Sequence, residues 1–195
     1  MKIILGSQSP RRREILGTFS IPFIGVPSSF DEESVQFEGD PGKHATLLSQ
    51  KKNEVLRQTY ADDVIVTADS VVFCQGRLFN KPQDENESHE FLSALSGNWH
   101  SVFTGVTVAR GPLVFSDVEE TKVLFNPLTP EQIKQFCLAT NTLDKAGGYT
   151  IEKNGKLIVS RVEGCYDNVV GLPVNTTRKL LLKVGIDLWD FVKKH

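Results

Sequence analysis

Cysteine is scarce in this chain and follows no pattern. The three cysteines, Cys74, Cys137 and Cys165, form no CxxC and have no close histidine partner, which excludes a disulfide framework and a zinc-ligand spacing. They read as small apolar residues in a reducing compartment. No stretch approaches the ~18–20 apolar residues of a membrane span, and the N-terminus lacks the long apolar run of a secretion signal. A soluble, cytoplasmic protein is the expectation. Excess positive charge is missing too. The 22 Lys and Arg against 24 Asp and Glu give a formal net charge of −2, which argues against stable nucleic-acid or membrane-surface binding. Internal repeats and low-complexity linkers are lacking, so a single unit over residues 1–195 with a real core is expected.

What the chain does have is concentrated at its start. Lys2-Ile3-Ile4-Leu5 suits a buried strand, and Gly6-Ser7-Gln8 a tight polar turn. Ser9-Pro10 is a helix start: the Ser9 hydroxyl caps, and Pro10 loses no hydrogen bond at the first helical position. Arg11, Arg12 and Arg13 then place cations at the positive end of the helix dipole, where each costs roughly 0.3–1 kcal/mol in an empty site. A bound anion explains the arrangement, because helix N-termini hold phosphate and arginines add bidentate forks. A solvated basic face is the alternative from charge alone.

Ile21 to Val26 predicts a second strand that leads to Asp31-Glu32-Glu33, an acidic triplet suited to a divalent cation or to a plain loop tip. Helical spacing runs from Pro41 to about Tyr60 with Ala45, Leu48, Val55 and Leu56 inward, and Lys51-Lys52 reads there as an exposed, solvated pair. Residues 63–69, DVIVTAD, run a β-branched strand straight into Asp69, a carboxylate expensive to bury unless paired or bound to metal. Beyond Ser70 the apolar run Val71 to Cys74 continues, Gln75-Gly76-Arg77 turns, and Leu78-Phe79 brings Asn80-Lys81-Pro82 back opposite the aspartate. The prediction then continues with a helix over 84–96 stopped by Gly97 and a hairpin of 99–109 with 113–124. A helix from Thr129, a strand over 157–162, an apolar loop over 168–173 and a helix over 174–184 complete it. Gly147 and Gly148, between Asp144 and Tyr149, let backbone approach a ligand or serve a simple turn.

Laid side by side, these stretches carry a resemblance. Ser7-Gln8-Ser9-Pro10-Arg11-Arg12, Asp31-Glu32, Lys52, Ala68-Asp69, Asn80-Lys81-Pro82, Leu95-Ser96-Gly97, Thr104-Gly105-Val106, Asp144-Lys145-Ala146-Gly147 and Val170-Gly171-Leu172-Pro173 follow in order across nearly the whole chain. The set resembles the Maf family of nucleoside triphosphate pyrophosphatases. The resemblance implies an elongated α/β fold, similar to inosine triphosphatases, in which a mixed sheet is flanked by helices and a deep cleft separates two lobes. It also implies a homodimer, and hydrolysis of a nucleoside triphosphate to monophosphate and pyrophosphate with Mg²⁺ or Mn²⁺.

Carried over by position, the catalytic set is Arg12, Glu32, Lys52, Asp69 and Lys81. Asp69 would accept the proton of water, Glu32 and Asp69 would hold the metal, and Ser7 and Ser9 would contact substrate. Arg11, Ser70 and Glu152 occupy the positions that correlate with base choice. Arg11 matches the branch acting on dTTP and UTP, and Ser70 is close to that branch's Thr. Glu152 matches the branch acting on 7-methyl-GTP and CTP. The expectation is a dTTP and UTP pyrophosphatase that extends to modified pyrimidine nucleotides. A 7-methyl-GTP/CTP pyrophosphatase and a non-catalytic nucleotide-binding regulator of cell division stay open beside it.

Overall fold

Continuous β-branched sequence makes the longest strands, and their pairing sets the frame on which the site is hung. The computed structural model describes residues 2–192. Strand β3 (Val64–Cys74) pairs antiparallel with β5 (Trp99–Arg110) from Val64↔Arg110 to Phe73↔Ser101. β5 turns at Gly111, whose φ of +55° suits a residue without Cβ, into β6 (Leu113–Phe125). With β1 (Ile3–Leu5), β2 (Phe23–Gly25), β4 (Arg77–Phe79) and β7 (Val159–Glu163) these form one mixed sheet of seven strands in the order β2-β1-β3-β5-β6-β7, with β4 also on β3. The mixed α/β class is as expected.

The free edge of β3 is shared by two short strands. β1 runs parallel to it from Ile3↔Val64 to Leu5↔Val66, and the Gly6 N–H donates to the Val66 carbonyl at 2.7 Å. β4 runs antiparallel at the other end, from Val72↔Phe79 to Cys74↔Arg77. Among the described residues no strand pairs with 67–71 on that edge. The gap divides the molecule into two lobes that share β3, β5 and β6.

Alternation along β3 decides what each face carries. On one face Ile65, Thr67, Asp69 and Val71 meet helix α2 (Pro41–Arg57), which begins at its Asp40 cap and buries Ala45, Leu48 and Leu56. Helix and sheet touch through backbone at Gly105, where a Cβ would lie 2.4 Å from the Ala45 carbonyl. On the other face Val64, Val66 and Ala68 pack with Leu16 of α1 (Pro10–Gly17) and with Leu180 and Leu181 of α7 (Val174–Lys183). Past the gap, Val72 and Cys74 join a second core around α3 (Glu85–Leu95) and α4 (Pro130–Ala139), built on Phe91, Leu92, Leu95, Phe125 and Ile133. Each fully buried Leu or Phe in these cores contributes roughly 1.5–3 kcal/mol.

Two segments differ from the sequence prediction. Residues 155–158 form a helical turn, α5 (Gly155–Ile158), so the last strand starts only at Val159. The first half of the stretch expected as an apolar loop, residues 168–170, belongs to α6 (Tyr166–Val170), because Asn168 is buried and its amide donates to Val102 O at 3.0 Å and Thr121 Oγ1 at 2.9 Å, tying the segment to β5 and β6.

His100 makes the second core sensitive to acid. Its Nε2 lies 2.8 Å from the Tyr149 hydroxyl, and its ring sits edge-on to Phe125. Burial depresses its pKa from 6.5 to about 4, against a small opposing effect of the Asn98 backbone. The unfolded chain therefore binds the proton first. Stability falls as pH drops from 6.5 to about 4, by roughly 3 kcal/mol for this group, and is unaffected by it above that window. Urea midpoints measured against pH should show this limb in the wild type and a flatter one in His100→Gln; an unchanged limb would assign it to other groups.

Candidate active site

The gap in the β3 edge opens into a cleft of about 1160 Å³ lined from both lobes. Asp69 stands at its floor in the uncovered interval, 6% exposed and pointing to the α2 face. From α2, Lys52 reaches the same spot. Its ammonium pairs with Asp69 Oδ1 and lies 2.8 Å from Glu32 Oε1. Lys52 is itself only 6% exposed, so the expected solvated Lys51-Lys52 pair is corrected: Lys51 alone turns outward, to Glu54 at 2.9 Å. Two consecutive helical positions point about 100° apart, and only one of them meets the sheet.

Glu32 is brought in by a short 3₁₀ turn, Glu32–Ser34, capped by the Asp31 carboxylate accepting from Glu33 N at 3.1 Å. Lys81, delivered by the β3–β4 hairpin, lies 3.7 Å from Glu32 Oε2 with an exposed side chain. Burial pushes the Glu32 carboxyl up, but the Lys52 charge and hydrogen bond, with Lys81 and Arg12 behind them, outweigh it and hold the group below its ordinary value.

On the opposite face of the strand, Arg12 enters from the first turn of α1. Its Nε donates to Gly171 O at 2.7 Å, Nη1 to Ser7 Oγ at 3.4 Å and Nη2 to Ser70 Oγ at 3.1 Å. Three of its five N–H groups are thus spent on protein, and two remain for a ligand. Burial lowers its pKa, while Asp69 and Glu32 pull it back up. Ser9 is mainly the cap, accepting from Arg12 N at 3.5 Å, and Ser7 Oγ accepts from Ser9 N at 3.1 Å. Arg11 lines the cleft; Arg13 instead packs against Gly25. Backbone adds to this wall. Val66 O faces β1, so by the two-residue period the N–H groups of Ala68 and Ser70 face the open edge. Arg11, Arg12, Lys52 and Lys81 supply cations for a polyanion within a cleft whose lining as a whole has six basic (Lys or Arg) and six acidic side chains.

The sequence comparisons bear on this arrangement. The family model described as Maf-like protein matches residues 2–184. The chain belongs to the Maf family. Curated relatives include the dTTP/UTP pyrophosphatase of Chlamydia trachomatis serovar L2, 40% identical over 98% of each chain. Those named dTTP/UTP pyrophosphatase in Chlamydia caviae and Clostridium perfringens are 42% and 41% identical, over 98% and 96% of this chain and 98% and 100% of theirs. Among solved structures, the Staphylococcus aureus Ham1 protein overlaps in part, at TM-score 0.43 and 15% identity over 63% of this chain and 70% of its own.

In this Maf protein the cleft brings together Ser7, Ser9, Arg11, Arg12, Glu32, Lys52, Asp69, Ser70 and Lys81. Glu152 is not among the lining residues. Its N–H donates to Thr150 Oγ1 at 3.2 Å, and its carboxylate acts on the Tyr166 hydroxyl, whose pKa is raised by burial first and by Glu152 next. Among the described residues no three His, Cys, Asp or Glu side chains cluster as a metal cage. Glu32 and Asp69, already gathered round one ammonium, do fit a Mg²⁺ that takes one or two carboxylates and fills its other positions with substrate phosphates and water.

Sequence reasoning missed three contributors. Thr104 and Asn168 stand behind Ser70, and His44 lines the cleft beside Phe37 with ring centroids 5.5 Å apart. A buried polar residue inside an apolar strand, as at Thr104, is the signal available for such positions.

Proposed function

We propose that this protein hydrolyses dTTP and UTP to the nucleoside monophosphate and pyrophosphate. Lys52 carries the reading: a buried ammonium held between Asp69 and Glu32 at the floor of a cleft whose walls bear Arg11, Arg12 and Lys81. A triphosphate arrives with several negative charges that positioned cations neutralise, and phosphoryl transfer depends on such positioning and charge stabilisation. Asp69 spends one oxygen on Lys52 and keeps the other to take a proton from the attacking water. Glu32 and Asp69 would hold the Mg²⁺ or Mn²⁺, which when bound supplies further neutralisation of phosphate charge.

The choice of dTTP and UTP is supported by the names of relatives about 40% identical over nearly the full length, and by Arg11 and Ser70 at the cleft. A regulator without turnover would have little reason to keep a buried cluster of ions that is costly to desolvate. With three free thiols and no helix among the described residues long and apolar enough to cross a membrane, the reading is of a cytoplasmic enzyme, and we take the homodimer as part of it.

Pyrophosphate release from dTTP, UTP, CTP, GTP and 7-methyl-GTP with Mg²⁺ tests the substrate. dTTP and UTP should lead; a clear lead for 7-methyl-GTP would reject the choice. Lys81→Ala should lower kcat/KM about tenfold for every triphosphate alike, because a phosphate contact carries no base identity. A changed rank order of bases would contradict that role.

A further inference from the structure

Ser70 sits on the cleft wall, on the face of β3 opposite Asp69, next to an apolar surface formed by Val72, Val102, Val169 and Tyr149. Lys52 and Asp69 lie on the other face, while Arg12 shares this one with Ser70, and the apolar patch beyond Arg12 suits a nucleobase. Behind Ser70 runs a chain of hydrogen bonds with both ends defined. Arg12 Nη2 lies 3.1 Å from Ser70 Oγ, Ser70 Oγ 2.8 Å from Thr104 Oγ1, and Thr104 Oγ1 3.1 Å from Asn168 O. A guanidinium only donates and a carbonyl only accepts. The Thr104 hydroxyl therefore gives its one hydrogen to Asn168 O, and must accept from Ser70. Reversing the middle bond would leave two oxygens facing each other at 3.1 Å with no hydrogen, at a threonine that is fully buried. Asn168 cannot yield, because its amide is pinned to Val102 O and Thr121 Oγ1.

The consequence falls on the ligand. Ser70 donates to Thr104, accepts from Arg12, and has one lone pair left for the cleft. We propose that Ser70 reads the substrate's base as a hydrogen-bond acceptor only, and that Thr104, which does not line the cleft, is the positioning residue that fixes this polarity. The base must then offer an N–H, as uracil and thymine do at N3. The inference rests on the pyrimidine triphosphate reading above and adds how the base is recognised.

The test compares kcat/KM for UTP with that for the triphosphate of 2-pyrimidinone riboside, whose base carries no N–H. The wild type should favour UTP by about tenfold or more, the scale of one well-made hydrogen bond. Thr104→Val removes the acceptor behind Ser70 and frees its hydrogen to swing into the cleft, so the ratio should fall towards one. Thr104→Ser should keep the ratio. In Ser70→Ala the ratio should also collapse, and adding Thr104→Val to it should change nothing further. A Thr104→Val enzyme with the wild-type ratio would overturn the proposal, as would a Ser70→Ala enzyme that keeps it. A wild type that takes both substrates equally well overturns it without any variant. A wild type that turns over neither overturns the pyrimidine reading itself, which is a different result.

Discussion

Asp69→Asn should lower kcat for pyrophosphate release by two orders of magnitude or more, while KM for UTP moves little. The substitution is nearly isosteric in a strand held on one side by β5 from Val64 to Phe73, so the site keeps its shape. The side-chain oxygen can still accept from Lys52, and Glu32 still pairs with that ammonium at 2.8 Å. The charge, the capacity to take a proton from water and one anionic ligand for the metal are lost together, and general-base catalysis alone is worth roughly 10²–10⁴-fold. Steady-state kinetics on a variant with an unchanged thermal midpoint checks this. Turnover at the wild-type rate would remove Asp69 from the chemistry.

Lys52→Met should be worse in two respects. The methionine fills much of the same volume, yet it leaves Asp69, 6% exposed, facing Glu32 with no cation between them. Removing one partner from a buried pair costs roughly 3–5 kcal/mol, and the lower end applies here because Glu32 is partly exposed. Urea unfolding should show that loss directly. Activity should fall by at least the factor seen for Asp69→Asn, since the ammonium that positions both carboxylates is gone and like charges push them apart. Lys51→Met, one residue earlier on the exposed side of α2, should change stability by less than about 0.5 kcal/mol. Equal effects from the two substitutions would contradict the placement of Lys52 in the site.

How far these residues could be read from the chain alone varied with how local their causes are. Asp69 was legible because a carboxylate inside an unbroken β-branched strand has few affordable explanations, and the strand does run through it from Val64 to Cys74. The Ser9 cap and Pro10 start were legible for the same reason, since capping is decided within one turn. Lys52 looked solvated by charge pattern because burial of an ammonium depends on Glu32 and Asp69, which lie 20 and 17 residues away. Helix α6 was hidden in an apolar-looking loop, as its anchor is an Asn168 amide bonded to strands about 50 to 65 residues earlier. The gap in the β3 edge was equally out of reach. It arises from where β1 stops and β4 begins on a shared neighbour, a matter of register that no single segment encodes. Glu152 shows the converse: the family resemblance pointed to the base at this position, while the residue is not among those lining the cleft and its charge acts on Tyr166.

The central claim is cleavage of the anhydride between the α and β phosphates, at a site built on Asp69. Its most direct test is product analysis by ³¹P NMR of UTP with Mg²⁺, using wild type and Asp69→Asn side by side. The wild type should yield UMP and pyrophosphate in equal amounts with no UDP, and the variant almost none of either. UDP and orthophosphate as the first products, or equal product formation by both proteins, would contradict the account.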